Sequence, residues 1–545
     1  MRPRIGLLLS VLISLTALTG CSRAQATPAI LSLNPAVTYQ TMTGWEAVAQ
    51  VGALSEVGPA SGHSNLNPAY LRYKDTLFDQ AVNDLGLNRI RLEVYSGLEN
   101  PTDYFTQYLN GQISYSAWKS HWHDIVNDND NPQVINPSGF QFAMVDFAVD
   151  TAVLPMQERL AARGEHLLIN ATYVDFDPSP FEHKNNPEEY AEFVLATYQH
   201  LQAKYGWVPD TWEVILEPDN SQWSAQQVGA VMAAAGARLQ ANGFTPRFVA
   251  PSTVNMANAA TYFDTLRQTP GALAHLSELS YHRYSGVSTN ALQAIVSRAQ
   301  QYGLKTAMLE HMGADYQELH TDLKDGRNSA WQQFTLAYPT DDNGAQYYWI
   351  DQTDPQNPKI NLGSRTRYLR QYFKYIRAGA VRIDASSTRG SFDPLAFINT
   401  DGKYVVVVKA SDGGDLSVQG LPPGVYGIKY TTAHEYDVNA PDVNVGAGQA
   451  LSASMPEPGV MTIYAKSGPV ADATPTPPPA PTFTLTPPPT FTLTPLPPPS
   501  ITPTVRTPTE EDYLIYLPYI LTGFEPPDRV AAPRASTLLP CGEHS

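Results

Sequence analysis

The sequence predicts an α/β chain: a (β/α)8 (TIM) barrel with a C-terminal β-sandwich side domain, followed by a Pro/Thr-rich linker and a short tail. Three observations carry this. Eight apolar runs of strand length alternate with turn or helix signals, the pattern of a closed parallel barrel. No glycine-rich phosphate loop follows an early strand, as an open doubly wound sheet would show. From about Gly390 to Lys466 the pattern changes to short alternating runs, such as Tyr404–Val408 and Val460–Tyr464, separated by Gly, Asp and Pro.

The eight runs are Tyr39–Val48, Arg89–Val94, His166–Thr172, Thr211–Leu216, Arg247–Pro251, Glu278–Tyr284, Lys305–Glu310 and Gln346–Ile350. Helix signals fall between them. Asn186-Pro187-Glu188-Glu189 offers an N-cap, a first-turn proline and first-turn acids. Tyr190, Phe193, Val194, Tyr198, Leu201 and Tyr205 then share one helical face, which Gly206 closes. Ser224-Ala225-Gln226-Gln227 is a capping box, followed by Val228, Val231, Met232, Ala235 and Leu239 at helical spacing. The barrel is therefore expected over 38–380. The side domain is expected over 381–467 with 29–37 pairing onto it.

The flanks are of a different kind. Arg2 and Arg4 precede the apolar run Ile5–Leu18, so 1–21 reads as an export signal. Its ending, Leu18-Thr-Gly-Cys21, resembles a bacterial lipobox. That resemblance implies lipidation at Cys21 and attachment to the cell membrane or cell surface by this anchor alone. The other cysteine is Cys541, so no disulfide lies within the body. Residues 468–510 repeat Pro-Thr-Phe-Thr-Leu-Thr-Pro at 481–487 and 489–495, an extended spacer of about 3.1 Å per residue. The tail 511–545 holds Tyr513–Leu521, too short to cross a bilayer. A net charge of −17 argues against nucleic acid, whose phosphates need a basic surface.

In a (β/α)8 barrel the reactive groups stand at the C-terminal ends of strands. Glu217 follows run four and Glu310 ends run seven, on walls that face one another. Two converging carboxylates can divide glycoside cleavage: one protonates the leaving oxygen, the other attacks the anomeric carbon. His121, His123 and the Asn/Asp-rich run Asn127–Asn131 lack the glycine and terminal glutamate of a calcium loop. They read as a solvated loop, and neither metal nor cofactor is expected.

Glutamates at the ends of strands four and seven are similar to the layout of clan A retaining glycoside hydrolases. More narrowly, residues from about 30 to 467 resemble glycoside hydrolase family 30. The features that resemble it are the first-strand segment Val37-Thr-Tyr-Gln-Thr-Met-Thr-Gly44-Trp45, the return segment Tyr372-Phe-Lys-Tyr-Ile-Arg377 with Gly379-Ala-Val-Arg-Ile383, and Tyr347-Tyr-Trp349. The resemblance implies Glu217 as acid/base, Glu310 as nucleophile and Arg91 as a cation beside it. Tyr284 is expected to hydrogen-bond Glu310, His282 to contact a sugar hydroxyl, and Trp349 to form a stacking floor. Asn170, Tyr173 and Asp175 are further subsite candidates. One position departs from the clan: Leu216 stands where an asparagine usually binds the sugar 2-hydroxyl. The expected partner is a carbohydrate and the expected state a monomer. Retaining hydrolysis of a β-linked glycan or glycoconjugate is the expected function, with a catalytically impaired cell-surface carbohydrate-binding protein as the alternative.

Overall fold

The computed structural model describes residues 27–55 and 65–467. The export signal with Cys21, the linker, the tail and Cys541 lie outside the described residues.

Eight parallel strands close a barrel. In chain order they are Gly44–Val48, Arg89–Tyr95, Leu168–Val174, Thr211–Glu213, Phe248–Asn255, Leu276–Ser285, Lys305–Glu310 and Asn328–Tyr338. Each pairs with the next, and the eighth also pairs with the first. Seven of the predicted runs therefore fall on wall strands; the eighth does not. Gln346–Asp351 lies outside the closed ring, parallel to the true eighth strand, with Trp349 opposite Tyr338 and Asn361.

The first run also divides. Its beginning belongs to a long strand, Ala29–Thr41, of the side domain, and only Gly44–Val48 enters the barrel. Gly44 makes the break possible. Its φ is 151°, and a Cβ there would stand 2.8 Å from Asn88 Oδ1 and 2.9 Å from Arg89 Cβ.

Strand alternation sorts side chains between the lumen and the helix layer. The lumen holds a small apolar cluster, Val249, Ala307, Leu309 and Ala330. Beneath it lies an ionic layer, in which Arg89 donates to both oxygens of Glu278 at 2.9 Å and to Glu46, all three buried. Such a layer fixes geometry more than it adds stability, because desolvation offsets most of the Coulomb gain. Outward-facing residues pack on the helices: Trp45 stacks on Phe373 with centroids 4.4 Å apart.

The helix signals are realised. Pro187–Tyr205 begins on the proline, buries Tyr190, Phe193, Val194, Tyr198 and Leu201, and ends at Gly206 with φ 78°. Asn186 holds the cap position without a capping bond, its Nδ2 donating instead to Glu182 O at 2.9 Å. Ala225–Ala241 opens on the Ser224–Gln227 capping box.

The side domain is a nine-stranded sheet folded over its own core of Leu31, Val406, Val408, Leu416, Met461 and neighbours. Ala29–Thr41 sits inside this sheet, antiparallel to Val381–Ser387 and parallel to Gly414–Gln419. The other side of the sheet seals against the barrel: Leu395, Phe397, Val405, Val407 and Val460 share the barrel's core cluster. Among the described residues no helix is long and apolar enough to cross a membrane.

Candidate active site

The wall carries Glu217 and Glu310 on one rim. Glu310 is the last residue of the seventh strand and Glu217 follows the fourth. After Glu213 the chain leaves regular pairing, with Leu216 N–H donating to Tyr173 O at 2.9 Å and Glu217 N–H to Ser252 O at 3.2 Å. Glu217 has φ 50°, a left-handed value that is strained for a residue with a side chain. The strain falls where the backbone aims the carboxylate across the cleft.

One oxygen of Glu217, one of Glu310 and a ring nitrogen of His282 all lie within 4.8 Å of one another. The two carboxylates have different surroundings. Glu310 Oε2 accepts from Arg91 Nη2 at 2.5 Å and Oε1 from the Tyr284 hydroxyl at 2.8 Å. Burial would raise its carboxyl, but the charge of Arg91, that of His282 and these two bonds hold it below the usual range. Tyr284 itself is pushed well above the ordinary phenol value by burial and the charges of Glu310 and Glu217, so it remains a donor. Arg91 is fully buried, and Phe334, on the true eighth strand, has its ring centroid 6.0 Å from the guanidinium carbon.

Glu217 is held by different groups. Its Oε1 meets His282 Nδ1 at 2.9 Å, and its Oε2 accepts from Asn220 Nδ2 at 3.0 Å. His282 is completely buried, with its other ring nitrogen unpartnered. Burial lowers the imidazole, but the bond to Glu217 and the charges of Glu310, Glu217 and Glu213 outweigh it and raise it overall. The expected sugar contact is therefore corrected: His282 reaches the acid/base candidate from beneath and is sealed from the cleft. The trio could in principle hold a cation, yet Arg91, Tyr284 and Asn220 already occupy its carboxylate oxygens.

Four more expectations change. Asn170 is buried in the lumen, donating to Glu213 Oε2 at 3.1 Å and accepting from Thr211 Oγ1 at 2.8 Å. Tyr173 is buried behind the wall, its hydroxyl 2.7 Å from His183 Nδ1. Asp175 accepts from Ser96 Oγ at 2.9 Å and Trp223 Nε1 at 3.3 Å. These residues brace the wall rather than line a sugar site. Trp349 stands on the strand outside the ring, so the aromatic that the barrel's eighth strand sets beside Arg91 is Phe334.

Glu93 and Asn220 were not anticipated. Glu93 sits two residues above Arg91 on the same strand face, 3.5 Å from its Nη2, and accepts from Gln50 Nε2 at 3.1 Å and the Tyr95 hydroxyl at 3.3 Å. Burial raises its carboxyl, Arg91 opposes, and the nearby charge of Glu310 adds to the rise. The i, i+2 spacing of Arg91 and Glu93 was visible in the sequence and places both on one face. Leu216 joins Tyr95 and Val174 in an apolar patch packed by Trp122, Met144 and Phe176.

Fold and rim together define a (β/α)8-barrel protein with two facing cleft carboxylates and a β-sandwich side domain. Residues 379–419 match the glycosyl hydrolase family 30 beta sandwich domain. No curated protein sequence matches the chain. Among solved structures the fold is similar to a glycoside hydrolase family 30 endoxylanase from Clostridium papyrosolvens, at TM-score 0.55 and 18% identity, over 80% of this chain and 100% of that one. It is also similar to the catalytic domain of xylanase C from Talaromyces cellulolyticus, at TM-score 0.59 and 14% identity, over 80% and 100%. An endo-β-1,6-glucanase matches at TM-score 0.55 and 17% identity, over 82% and 94%. At these identities the likeness is one of fold. The chain is glycoside hydrolase family 30-like.

Proposed function

We propose that this protein is a retaining glycoside hydrolase acting on a β-linked glycan or glycoconjugate. The observation that carries the proposal is the rim geometry: oxygens of Glu217 and Glu310 within 4.8 Å, with Glu310 clamped by Arg91 and Tyr284. Carboxyl groups about 5–5.5 Å apart suit direct attack, whereas about 6.5–9.5 Å leaves room for a water on the far face.

In the first step a Glu310 oxygen bonds to the anomeric carbon as the glycosidic C–O bond breaks, and Glu217 gives its proton to the leaving oxygen. In the second, Glu217 takes a proton from water, the water oxygen bonds to the same carbon, and the ester to Glu310 breaks. Two inversions give net retention. The names of the similar structures, xylanases and a β-1,6-glucanase, support a β-glycan as the substrate class. Export and anchoring through a lipidated Cys21 complete the proposal.

Aryl β-glycosides and plant or microbial β-glycans are the assay panel, with product stereochemistry read by NMR. Glu310→Gln and Glu217→Gln should each abolish most of the turnover, and products should form with retained configuration. Inversion, or hydrolysis unchanged in both variants, refutes the assignment. The burial of Leu216 in an apolar patch favours one second reading. Without a 2-hydroxyl partner at that position, sugar binding without release would mark an impaired barrel that binds carbohydrate.

A further inference from the structure

Away from the cleft, the Asn/Asp-rich run after the second strand meets the start of the helix Pro187–Tyr205. Glu189 and Glu192, three residues apart, lie on one helix face. One oxygen from each, and one from Asp128, fall within 4.8 Å of one another. Among the described residues no Lys, Arg or His forms an ion pair with any of the three.

The cluster is not a solvated acidic surface. Glu192 is 1% exposed, and no amide, hydroxyl or cation among the described residues donates to its carboxylate; its hydrogen-bonding neighbour is another acid, Glu189. Glu189 is 8% exposed, with Oε2 buried and unpartnered, and Asp128 Oδ1 is in the same condition. The amide of Asn127, whose Nδ2 is 3.5 Å from Glu189 Oε1, adds a buried, unpartnered Oδ1. Apart from a proton shared between Glu189 and Glu192, these are acceptors without donors. Buried carboxylates left in this way cost several kcal/mol each unless something positive joins them.

We propose that Asp128, Glu189 and Glu192 bind a hard divalent cation, calcium in preference to magnesium. Oxygen-only donors with a high formal charge are the set such cations take. Calcium holds ligands at about 2.3–2.6 Å, so oxygens on opposite sides are about 4.6–5.2 Å apart; for magnesium the span is about 4.2 Å. Magnesium also dehydrates reluctantly and keeps several waters, so a buried set of protein carboxylates close enough to share one ion suits calcium. The run Asn127–Asn131 lacks the terminal acid of a calcium loop in its own sequence. The fold supplies two from a helix some sixty residues further on.

The site would fasten this loop to the barrel wall. Asp128 N–H donates to Glu99 Oε1 at 3.0 Å, Glu99 Oε2 is 2.7 Å from His183 Nε2, and His183 Nδ1 is 2.7 Å from the Tyr173 hydroxyl on the third strand. A cation between loop and helix therefore braces the wall beside the cleft without touching the reacting groups.

The test uses the full chain, stripped with chelator and titrated with calcium chloride or magnesium chloride by calorimetry and thermal unfolding. One calcium should bind, raising Tm by about 3 °C at roughly 100-fold above Kd, and magnesium should bind more weakly. Glu192→Gln should lose the calcium response while folding normally, because the amide is the same size and relieves repulsion. Asp128→Asn, on the loop, gives a second readout should that helix variant misfold. Absence of both heat and Tm shift in the unaltered protein overturns the proposal, as does a response that both variants retain.

Discussion

Replacing Arg91 with methionine tests the electrostatic core of the site. Arg91 is fully buried and its Nη2 reaches Glu310 at 2.5 Å and Glu93 at 3.5 Å. Methionine keeps much of the bulk but leaves two buried carboxylates facing one another without a cation. Breaking a buried pair in this way costs about 3–5 kcal/mol. At about 1.4 kcal/mol per factor of ten, the same loss of support for an ionised nucleophile corresponds to about 10²–10⁴-fold in kcat/KM. The sign follows from Glu310, whose folded-state carboxyl lies below its usual range. Its contribution to stability is full above the unfolded-state value and is lost as pH falls through the folded one. Without Arg91, burial is opposed only by His282 and Tyr284, so the acidic limb of kcat/KM should move to higher pH. The assay is a pH–rate profile on an aryl β-glycoside, with urea unfolding in parallel. A loss below about threefold with an unmoved acidic limb would show that Arg91 does not sustain the nucleophile.

Tyr284→Phe removes one donor to Glu310 while leaving Arg91, so kcat should fall about 10- to 100-fold and the acidic limb should shift upward, as read in the same profile. Leu216→Asn places an amide among Tyr95, Val174 and Phe176; unfolding in urea should show a loss of about 1–3 kcal/mol. Glu192, in the protein without a cation, is pushed up to about 8 by burial, by the charge of Asp128, by its hydrogen bond to Glu189 and by the charges of Glu189 and Glu99. A cation must displace that proton, so calcium affinity should rise about tenfold per pH unit from pH 6 to near 8 and then level, measured by calorimetry in two buffers. A flat profile would mean that Glu192 does not contribute a ligand oxygen.

The barrel was legible because most of its wall is bounded by helices with caps and apolar faces. The eighth strand was not, and the reason is physical. Asn328–Tyr338 carries Asn328, Ser329, Gln332, Gln333 and Thr335, all buried. Consecutive polar residues such as Gln332 and Gln333 fall on opposite faces, so this wall strand loses apolar character on both sides, whereas Gln346–Asp351 buries Tyr347, Tyr348 and Ile350 and reads as the stronger strand. Hydrophobicity reports burial in apolar surroundings, and here the outer strand has more of it. The error carried Trp349 into the site and left Phe334 unnoticed.

The site was legible as positions and not as pairings. Strand ends gave Glu217, Glu310 and Tyr284, because the fold fixes where a strand end points; Arg91, the third residue of its strand, came from the family resemblance. Depth along the wall is not encoded that way, so Asn170, Tyr173 and His282 all stood at plausible heights and all proved sealed from the cleft. Asn220 could have been found: three residues beyond Glu217, past a proline, a turn returns its amide to the carboxylate. The Asp128–Glu189–Glu192 cluster could not, since its members come from a loop and a helix separated by a full barrel strand. Each half looks ordinary by itself, a polar loop and the acidic first turns of a helix. Only their apposition removes the water that would have satisfied the carboxylates, and that makes a cation the fitting partner.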